Sequence, residues 1–161
     1  MECDTNINYL QPTGFRMLID RRRFSNVSFF VRSVDHSSIT TNEAPAPFRK
    51  YTSIPQLPDT YTYSALDVTL IMDEDMKSYI ELLNWMKQNV DENPKSFEDE
   101  EPSRADLVLT ILSSKNNLNK TITYQDAFPT SIGGITMEAS ADGGDVITYT
   151  ASFAFSKFEI T

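Results

Sequence analysis

The chain has 161 residues, of which 40% are hydrophobic and 11% aromatic, so it has the length of one ordinary domain and enough apolar material for a core. Its formal net charge of −9 argues against a protein that grips nucleic acid, because such binding depends on Lys and Arg side chains that displace counterions from phosphates. We expect residues 1–161 to form a single domain.

Cysteine usage and hydropathy favour a soluble product made in a cytoplasm. The single cysteine, Cys3, cannot form an internal disulfide bond, and its setting shows no basic group that would favour a reactive thiol. No apolar run approaches the roughly 18 residues needed to span a bilayer. Residues 1–4 also lack the basic and apolar regions of a signal peptide, so we expect no stable membrane association.

The first predicted elements are two strands. Residues 1–13 form an N-terminal extension with little pattern, and residues 15–20 are strand-like. A second strand is predicted over residues 27–34, which makes an antiparallel hairpin with the first. The connection contains the only basic cluster, which we interpret as a partner-binding or salt-bridging feature. This cluster is Arg21, Arg22 and Arg23.

Residues 40–63 differ in composition from the rest of the chain. They contain four prolines, which forbid a helix or a central strand here. A structureless loop of about twenty residues inside a compact domain is uncommon and usually functional. We therefore interpret the segment as an arm that reaches beyond its own domain, with a disordered surface loop as the alternative. Its apolar side chains favour the arm, and they are Phe48, Tyr51, Ile54, Leu57, Tyr61 and Tyr63.

A third strand and a helix follow. Apolar and polar residues alternate over residues 66–72, and Asp73 is a suitable N-cap for the helix after them. The apolar stripe of this helix comprises Met76, Tyr79, Ile80, Leu83, Met86 and Val90. At about 100° per residue, Trp85 points away from that stripe. We expect Trp85 at a subunit contact or singly exposed, because aromatic residues are enriched where subunits meet.

The last part of the chain is predicted to be mostly strand. Residues 91–103 hold prolines and an acidic run, which indicates a solvated surface loop or, as a second interpretation, a docking patch for a basic partner. A turn-rich segment occupies residues 127–135. Strands are predicted over residues 106–112, 120–124, 134–139 and 145–160.

The final strand has two different faces. One face is bulky and apolar, and it comprises Ile147, Tyr149, Ala151, Phe153 and Phe155. The other is small and hydroxylated, and it comprises Thr148, Thr150, Ser152 and Ser156. Such a strand buries one face and wets the other, either against bulk solvent or in a water-filled bore. The whole pattern predicts a mainly β (α+β) fold, an antiparallel β-sandwich or barrel with one flanking amphipathic helix.

Residue types that carry catalysis or bind metals are scarce. His36 is the only histidine, so a His-pair metal site is excluded and a Ser-His-Asp site would rest on one residue. Gly133-Gly134 lacks the helix and lysine of a phosphate-binding loop. We expect no catalytic residues, no metal and no cofactor.

The order of these elements resembles the tail tube proteins of contractile bacteriophages over about residues 13–160. The most specific parts are residues 67–85, a strand followed by an acidic helix start and a helix that ends in Asn84-Trp85, and residues 127–138, where Phe-Pro-Thr-Ser-Ile-Gly precedes a strand. The resemblance implies hexameric rings whose sheets join into an inner β-barrel and stack into a hollow virion tail tube. Related rings occur in type VI secretion tubes and pyocin-like particles.

The resemblance also implies partners and a location. DNA would pass through the lumen without specific binding, and tail sheath, baseplate and neck proteins would be neighbours in the virion after synthesis in the host cytoplasm. The loop over residues 40–63 would make the contact between rings. Its density of prolines departs from the family hairpin, which leaves room for a specialised ring near the baseplate or neck.

Two sets of residues carry these expectations. The candidate lumen-lining residues are Thr69, Thr136, Glu138, Thr148, Thr150 and Ser152. The candidate subunit or ring interface residues are Arg21, Arg22, Arg23, Phe48, Tyr51, Ile54, Leu57, Tyr61 and Trp85. An error of one residue in strand register would exchange the two faces.

Three alternatives remain open at this point. A tail terminator, tube initiator or baseplate ring protein of the same fold would make single rings where a tube protein stacks. A monomeric β-barrel for a small apolar ligand would need apolar residues inside, which the Thr and Ser face of the last strand argues against. Hydrolase activity at His36 is the third.

Overall fold

A computed structural model describes residues 10, 12–19, 31–42, 45–49, 52–55, 57–90, 104–138 and 146–161. The predictions for the three arginines at 21–23, for Tyr51 and for the acidic loop at 91–103 lie outside the described residues. No segment within them forms a helix with the length and apolar content of a bilayer span. The strands are β1 (Phe15–Leu18), β2 (Val31–Asp35), β3 (Ile39–Thr41), β4 (Pro45–Arg49), β5 (Thr52–Pro55), β6 (Tyr61–Tyr63), β7 (Leu66–Ile71), β8 (Ala105–Leu112), β9 (Leu118–Ile132), β10 (Thr148–Ala154) and β11 (Lys157–Ile160), and the helix is α1 (Lys77–Val90).

Seven antiparallel strands make the main sheet, in the order β1-β8-β9-β10-β7-β2, with β11 also paired to β9. The strand β9 is 15 residues long and serves two parts of this sheet. Its first part pairs with β8 and β11, and its last part pairs with β10. The fold is therefore mainly β with one helix, as the sequence predicts.

The core lies where the apolar faces of these strands meet the helix. Alternation along β7 and β10 buries Leu66, Val68 and Leu70 together with Tyr149, Ala151 and Phe153. The ring of Trp85 packs against that of Phe153, with centroids 6.0 Å apart. The remaining buried apolar residues are Met17, Ile19, Leu82, Leu107, Leu109, Ile122, Tyr124 and Ala127.

The predicted hairpin between the first two strands is wrong. β1 pairs with β8 at one end of the strand order, and β2 pairs with β7 at the other end. Both strands carry apolar residues on the core side, so the sequence pattern alone did not distinguish local pairing from pairing with distant strands.

The predicted turn at residues 127–135 is also wrong, since β9 runs through Phe128, Pro129 and Thr130. Pro129 is tolerated because it lies at a register shift in the pairing with β10, opposite Phe153, and a proline in a sheet is confined to bulges and edges. The predicted strand over residues 134–139 is absent in its described part, residues 134–138, which form an irregular segment.

A second irregularity in β9 lies three residues before Pro129, at Asp126. This residue has a left-handed φ of 55°, and the register with β8 shifts beside it. The side chain of Asp106 accepts the N–H of Asp126 at 3.1 Å, which pairs a backbone donor that the bulge would otherwise leave free. Opposite this bulge, the predicted final strand divides into β10 and β11.

The helix buries a different face from the predicted stripe. Its buried residues are Ser78, Leu82 and Trp85, whereas Ile80 is 48% exposed and Val90 is 75% exposed. Trp85 is 1% exposed within its own chain, so the prediction of a subunit contact or an exposed indole at Trp85 is wrong. The sequence-based prediction assigned the buried side of the helix from its apolar residues alone. It therefore did not place Ser78, which is polar but buried, on the side of the helix that faces the core.

Ser78 can be buried because both of its donors are paired. Its N–H and its hydroxyl donate to Asp73 Oδ1 at 3.2 and 2.8 Å. Asp73 also accepts the N–H of Lys77 at 2.8 Å. The prediction that Asp73 caps the helix is confirmed at the level of its side chain, although the helix begins at Lys77, after a turn in which Met76 has a φ of 55°.

The described part of residues 39–63, which we call the arm, contains two short ladders. β3 pairs with β6, and β4 pairs with β5, each as an antiparallel two-stranded sheet. The segment is therefore not the structureless loop that the prolines suggested. Both proline-bearing strands, β4 and β5, are edge strands, where a missing N–H is tolerated.

Candidate functional site

The feature with the clearest functional potential is the face of the sheet opposite the core. It is formed by β2, β7, β10 and the last part of β9, whose alternate residues point away from the buried ones. We call it the polar face, and its polar residues are Ser33, Asp35, Asp67, Thr69, Ser131, Thr148, Thr150 and Ser152. The apolar Ile71, Phe128 and Ala154 lie on the same side of the sheet, at its margins.

Register places these side chains in continuous rows across the strands. Thr69 of β7 lies between Thr150 of β10 and Ser33 of β2. In the next row, Asp67 lies between Ser152 and Asp35, and Ser152 is also opposite Ser131 of β9. Paired residues share a face of the sheet, so hydroxyl and carboxylate groups extend over four strands.

Hydrogen bonds fix part of this face. The Ser152 hydroxyl donates to Asp67 Oδ1 at 2.5 Å, which joins β10 to β7 through side chains. The Thr130 hydroxyl donates to the carbonyl of Ser152 at 3.0 Å, from the neighbouring strand. The Asp67 carboxylate thus accepts a charge-assisted hydrogen bond, which holds its side chain against the neighbouring strand β10.

The strand β9 ends on this face with a close approach of backbone to side chain. Gly133 donates its N–H to the carbonyl of Thr150 at 2.7 Å. A Cβ atom at position 133 would lie 2.5 Å from Thr150 Oγ1, so only glycine fits without displacing Thr150.

The charge of the polar face is negative. Of its eight defining residues, two are aspartates, the others carry hydroxyls, and none is Lys or Arg. Arg32 is exposed nearby at the register shift of β2, between Val31 and Ser33. Such a surface binds water and disfavours phosphate, because phosphate is held by Lys and Arg.

Metal ligands and a catalytic histidine are not assembled on this face. Within the described residues, no group of three or more His, Cys, Asp or Glu side chains is placed to hold a metal ion. His36 Nδ1 lies 2.6 Å from the hydroxyl of Tyr124, and the hydroxyl of the adjacent Ser37 donates to the carbonyl of Ser38.

The structure brings together four of the six predicted lumen residues, namely Thr69, Thr148, Thr150 and Ser152. Thr136 and Glu138 are exposed on the irregular segment after Gly133, where the predicted strand does not form. Their assignment to the lumen loses its structural basis. Whether any of these residues faces a bore stays a prediction.

Sequence reasoning missed Ser33, Asp35, Asp67 and Ser131. Asp67 alternates with Leu66 and Val68, so its face was available from the sequence. The position of Ser131 was hidden by the predicted turn. Ser33 and Asp35 depend on the pairing of β2 with β7, which no local signal gave.

The predicted interface residues fall into different environments. Leu57 is 92% exposed and Tyr61 is 61% exposed, both on the arm. Phe48 and Ile54 lie in β4 and β5. Trp85 belongs to the core, as described above.

The family model for phage tail tube proteins matches residues 26–161. The chain belongs to the phage tail tube protein family. The resemblance inferred from the order of elements is thereby confirmed. No curated protein sequence matches the chain.

Solved structures share the fold of this tail tube family member at low sequence identity. A chain from the cap of the anti-feeding prophage, a tube terminating cap, has a TM-score of 0.69 at 11% identity over 98% of this chain and 95% of its own. A chain from the sheath/tube terminator of an extracellular contractile injection system has a TM-score of 0.65 at 12% identity over 96% and 99%. Hcp1 from Flavobacterium johnsoniae has a TM-score of 0.54 at 10% identity over 91% and 94%.

Proposed function

We propose that this tail tube family member assembles into hexameric rings that stack into the tube of a contractile tail and conduct DNA into a host cell. Family membership and the shared fold of contractile injection system proteins support a structural role in such a particle. We further propose that the polar face is the surface that lines the bore of the tube.

The observation that carries the proposal is the set of rows of hydroxyl and carboxylate groups over four strands, on the side of the sheet opposite a mainly apolar core. DNA must slide past many rings without being held. Each basic side chain in a bore adds a salt-dependent contact with phosphate, with a slope of about −0.9 in log K against log salt for every phosphate neutralised. A lining without Lys or Arg removes this friction.

Ring closure would also resolve the edges of the sheet. β2 is the last strand of the order, and the end of β9 beyond Ala127 continues past its last pairing with β8. Exposed edges of this kind favour aggregation, whereas sheets joined edge to edge around a ring have none. Each subunit contact would then be heterologous and close by rotation.

The arm and the arginines at 21–23 supply the remaining contacts of the proposal. The exposed Leu57 and Tyr61 give the arm apolar surface for the neighbouring ring. We propose that the arginines pair with carboxylates of an adjacent subunit, so that Arg22→Glu prevents assembly. Sheath, baseplate and neck proteins would bind the outside of the rings.

A tube terminator is the second candidate. The terminating cap and the sheath/tube terminator match with TM-scores of 0.69 and 0.65, against 0.58 for a chain of a sheath-tube complex. A terminator would form the same ring and the same bore but would not stack without limit.

Negative-stain microscopy of the purified full chain separates these functions. Long hollow tubes support the tube protein, and single rings with a central hole support the terminator. A monodisperse monomer at high concentration, with neither form present, would overturn both.

A further inference from the structure

A cluster of aromatic rings joins the base of the arm to the sheet. We call it the arm-root cluster, and it comprises His36, Tyr61, Tyr63, Tyr124, Phe155 and Phe158. His36 lies three residues before the first strand of the arm, and its ring meets that of Phe158 edge-on with centroids 4.9 Å apart. Tyr63, at the end of the arm, packs on Phe155 and Phe158 with centroids 5.3 Å away in both cases. Both ends of the arm are therefore held by the same rings.

One hydrogen bond inside this cluster depends on the charge of His36. The imidazole Nδ1 lies 2.6 Å from the hydroxyl of Tyr124, which is 1% exposed. Burial raises the pKa of Tyr124 to about 12, so the phenol keeps its proton. In the neutral tautomer of His36 that carries its proton on Nε2, the phenol donates to Nδ1. A protonated imidazole has N–H groups at both nitrogens and cannot accept this bond.

We propose that the arm root is an acid-sensitive latch: neutral His36 accepts the Tyr124 phenol proton and holds the arm against β9 and β11, and protonation of His36 releases it. Once Nδ1 carries a proton, the buried hydroxyl of Tyr124 loses its acceptor, which is an unfavourable state for a polar group inside a protein. The latch is a property of the single chain and does not depend on the proposed tube.

The response to pH depends on the surroundings of His36, which include titratable and charged groups on several strands. Tyr124 faces it from β9, the Lys157–Glu159 ion pair lies on β11, Tyr61 and Tyr63 lie on β6, and Asp35 is its neighbour on β2, opposite Asp67 of β7. Burial lowers the pKa of His36 from its ordinary value of 6.5. Because the closed state binds the proton less well than the open state, closure is fully favoured above pH 6.5 and is lost as the pH falls through the lowered pKa.

Hydrogen exchange on the full chain tests the latch. The N–H of Ser64 donates to the carbonyl of Ser38 and that of Asn42 to the carbonyl of Thr60, so these amides report opening of the arm root. Between pH 7.5 and 5.5, we expect their protection factors, corrected for intrinsic exchange, to fall by up to about tenfold, the limit that an open-state pKa of about 6.5 sets on the increase of the opening constant. The amides of Val68 and Ala151, in the core ladder of β7 and β10, serve as internal controls and should not change.

Two variants identify the groups. His36→Gln removes the titration and should abolish the pH dependence, and Tyr124→Phe keeps the ring but should give weak protection at both pH values. Equal protection of the wild-type chain at the two pH values would overturn the latch, as would a loss in His36→Gln as large as that in the wild-type chain. If a variant fails to fold, NMR titration of this single histidine in the wild-type chain decides, since a midpoint at or above 6.5 contradicts the proposal.

Discussion

At the residue scale, the contact between Gly133 and Thr150 leaves no room for a side chain at position 133. A Cβ atom there would lie 2.5 Å from Thr150 Oγ1 and 3.3 Å from the Thr150 carbonyl. Thr150 is β-branched and stiff at χ1, so it cannot easily turn away. We expect Gly133→Ala to lower the free energy of unfolding by about 1–3 kcal/mol, as overpacking does, in urea denaturation.

Gly134→Ala is the matched control, because nothing lies within 4 Å of its added Cβ atom. Combining Gly133→Ala with Thr150→Ala removes the nearest clash and should recover part of the loss. Equal stabilities of the two glycine variants would show that the approach of Gly133 to Thr150 is not constrained.

The exposed side chain of Thr150 also permits a test of the polar face. Thr150→Lys places a cation beside Thr69, with the neighbouring carboxylate of Asp67 one row away. If this face lines the bore, particles that carry the variant should eject DNA more slowly, and the delay should shrink as salt rises. Ejection followed by fluorescence at two salt concentrations measures both effects.

Asn84→Lys, an equal change of charge at an exposed position of the helix, provides the control and should eject at the wild-type rate. Normal tails with unchanged ejection in Thr150→Lys would mean that Thr150 does not face the DNA.

Residue-level prediction succeeded where alternation was strict. The hydroxyl side of β10 and Thr69 of β7 followed from a period of two. Trp85 failed because its burial depends on Asp73, which satisfies the buried polar groups of Ser78 and so lets that side of the helix face the core. A hydrogen bond between a helix residue and a side chain before the helix cannot be predicted from the helical periodicity of apolar residues.

At the scale of elements, the start of the helix depends on the carboxylate of Asp73. Burial alone would raise the pKa of Asp73, but hydrogen bonds from Ser78 and Lys77 outweigh it and hold the pKa below its ordinary value. Asp73→Ala should therefore lower the free energy of unfolding by about 1–2 kcal/mol at pH 7. Since the pKa is depressed in the folded state, this stabilisation is lost as the pH falls through the folded-state pKa, and the difference between the wild type and the variant should narrow below about pH 4.

Urea unfolding of both chains at pH 7 and pH 3 checks this expectation, with Glu74→Ala in the same turn as the control. A difference that persists unchanged at pH 3 would exclude the carboxylate as its source.

The elements that sequence reasoning misplaced share a cause. Pro129 and the glycines after it are typical of a turn, yet pairing with β10 carries β9 through them. Likewise, the prolines of the arm argued against strands, but two-stranded ladders have only edges. Local propensity indicated breaks in both cases, and the pairing partner decided the outcome.

At the scale of the whole molecule, the arm can be removed without cutting the sheet. Thr41 of β3 lies opposite Tyr61 of β6, so replacing residues 42–60 by Asn-Gly closes the two strands with a two-residue turn. We expect this variant to unfold cooperatively like the parent but to form rings where the parent forms tubes. Thermal unfolding and negative-stain microscopy measure the two properties.

Tubes of parental length from the shortened chain would contradict the role of the arm in ring contact. If the shortened chain no longer unfolds cooperatively, the arm is needed for the main sheet to fold, and the two ladders are not an independent element.

The family and fold class were accessible from the sequence because the order of elements, and not any single motif, carries the resemblance. The topology was not accessible, since β1 and β2 pair with strands far away in sequence and β9 is shared between two parts of the sheet. Long-range pairing of this kind leaves no local trace in composition or periodicity.

The central claim, that the polar face lines a conduit, is tested most directly by a cryo-electron microscopy reconstruction of the assembled full chain. The proposal predicts a ring or tube in which Thr69, Thr150 and Asp67 surround the open lumen and the helix lies outside the sheet. A reconstruction with these residues between rings or on the outer surface, and with another face around the lumen, would contradict it.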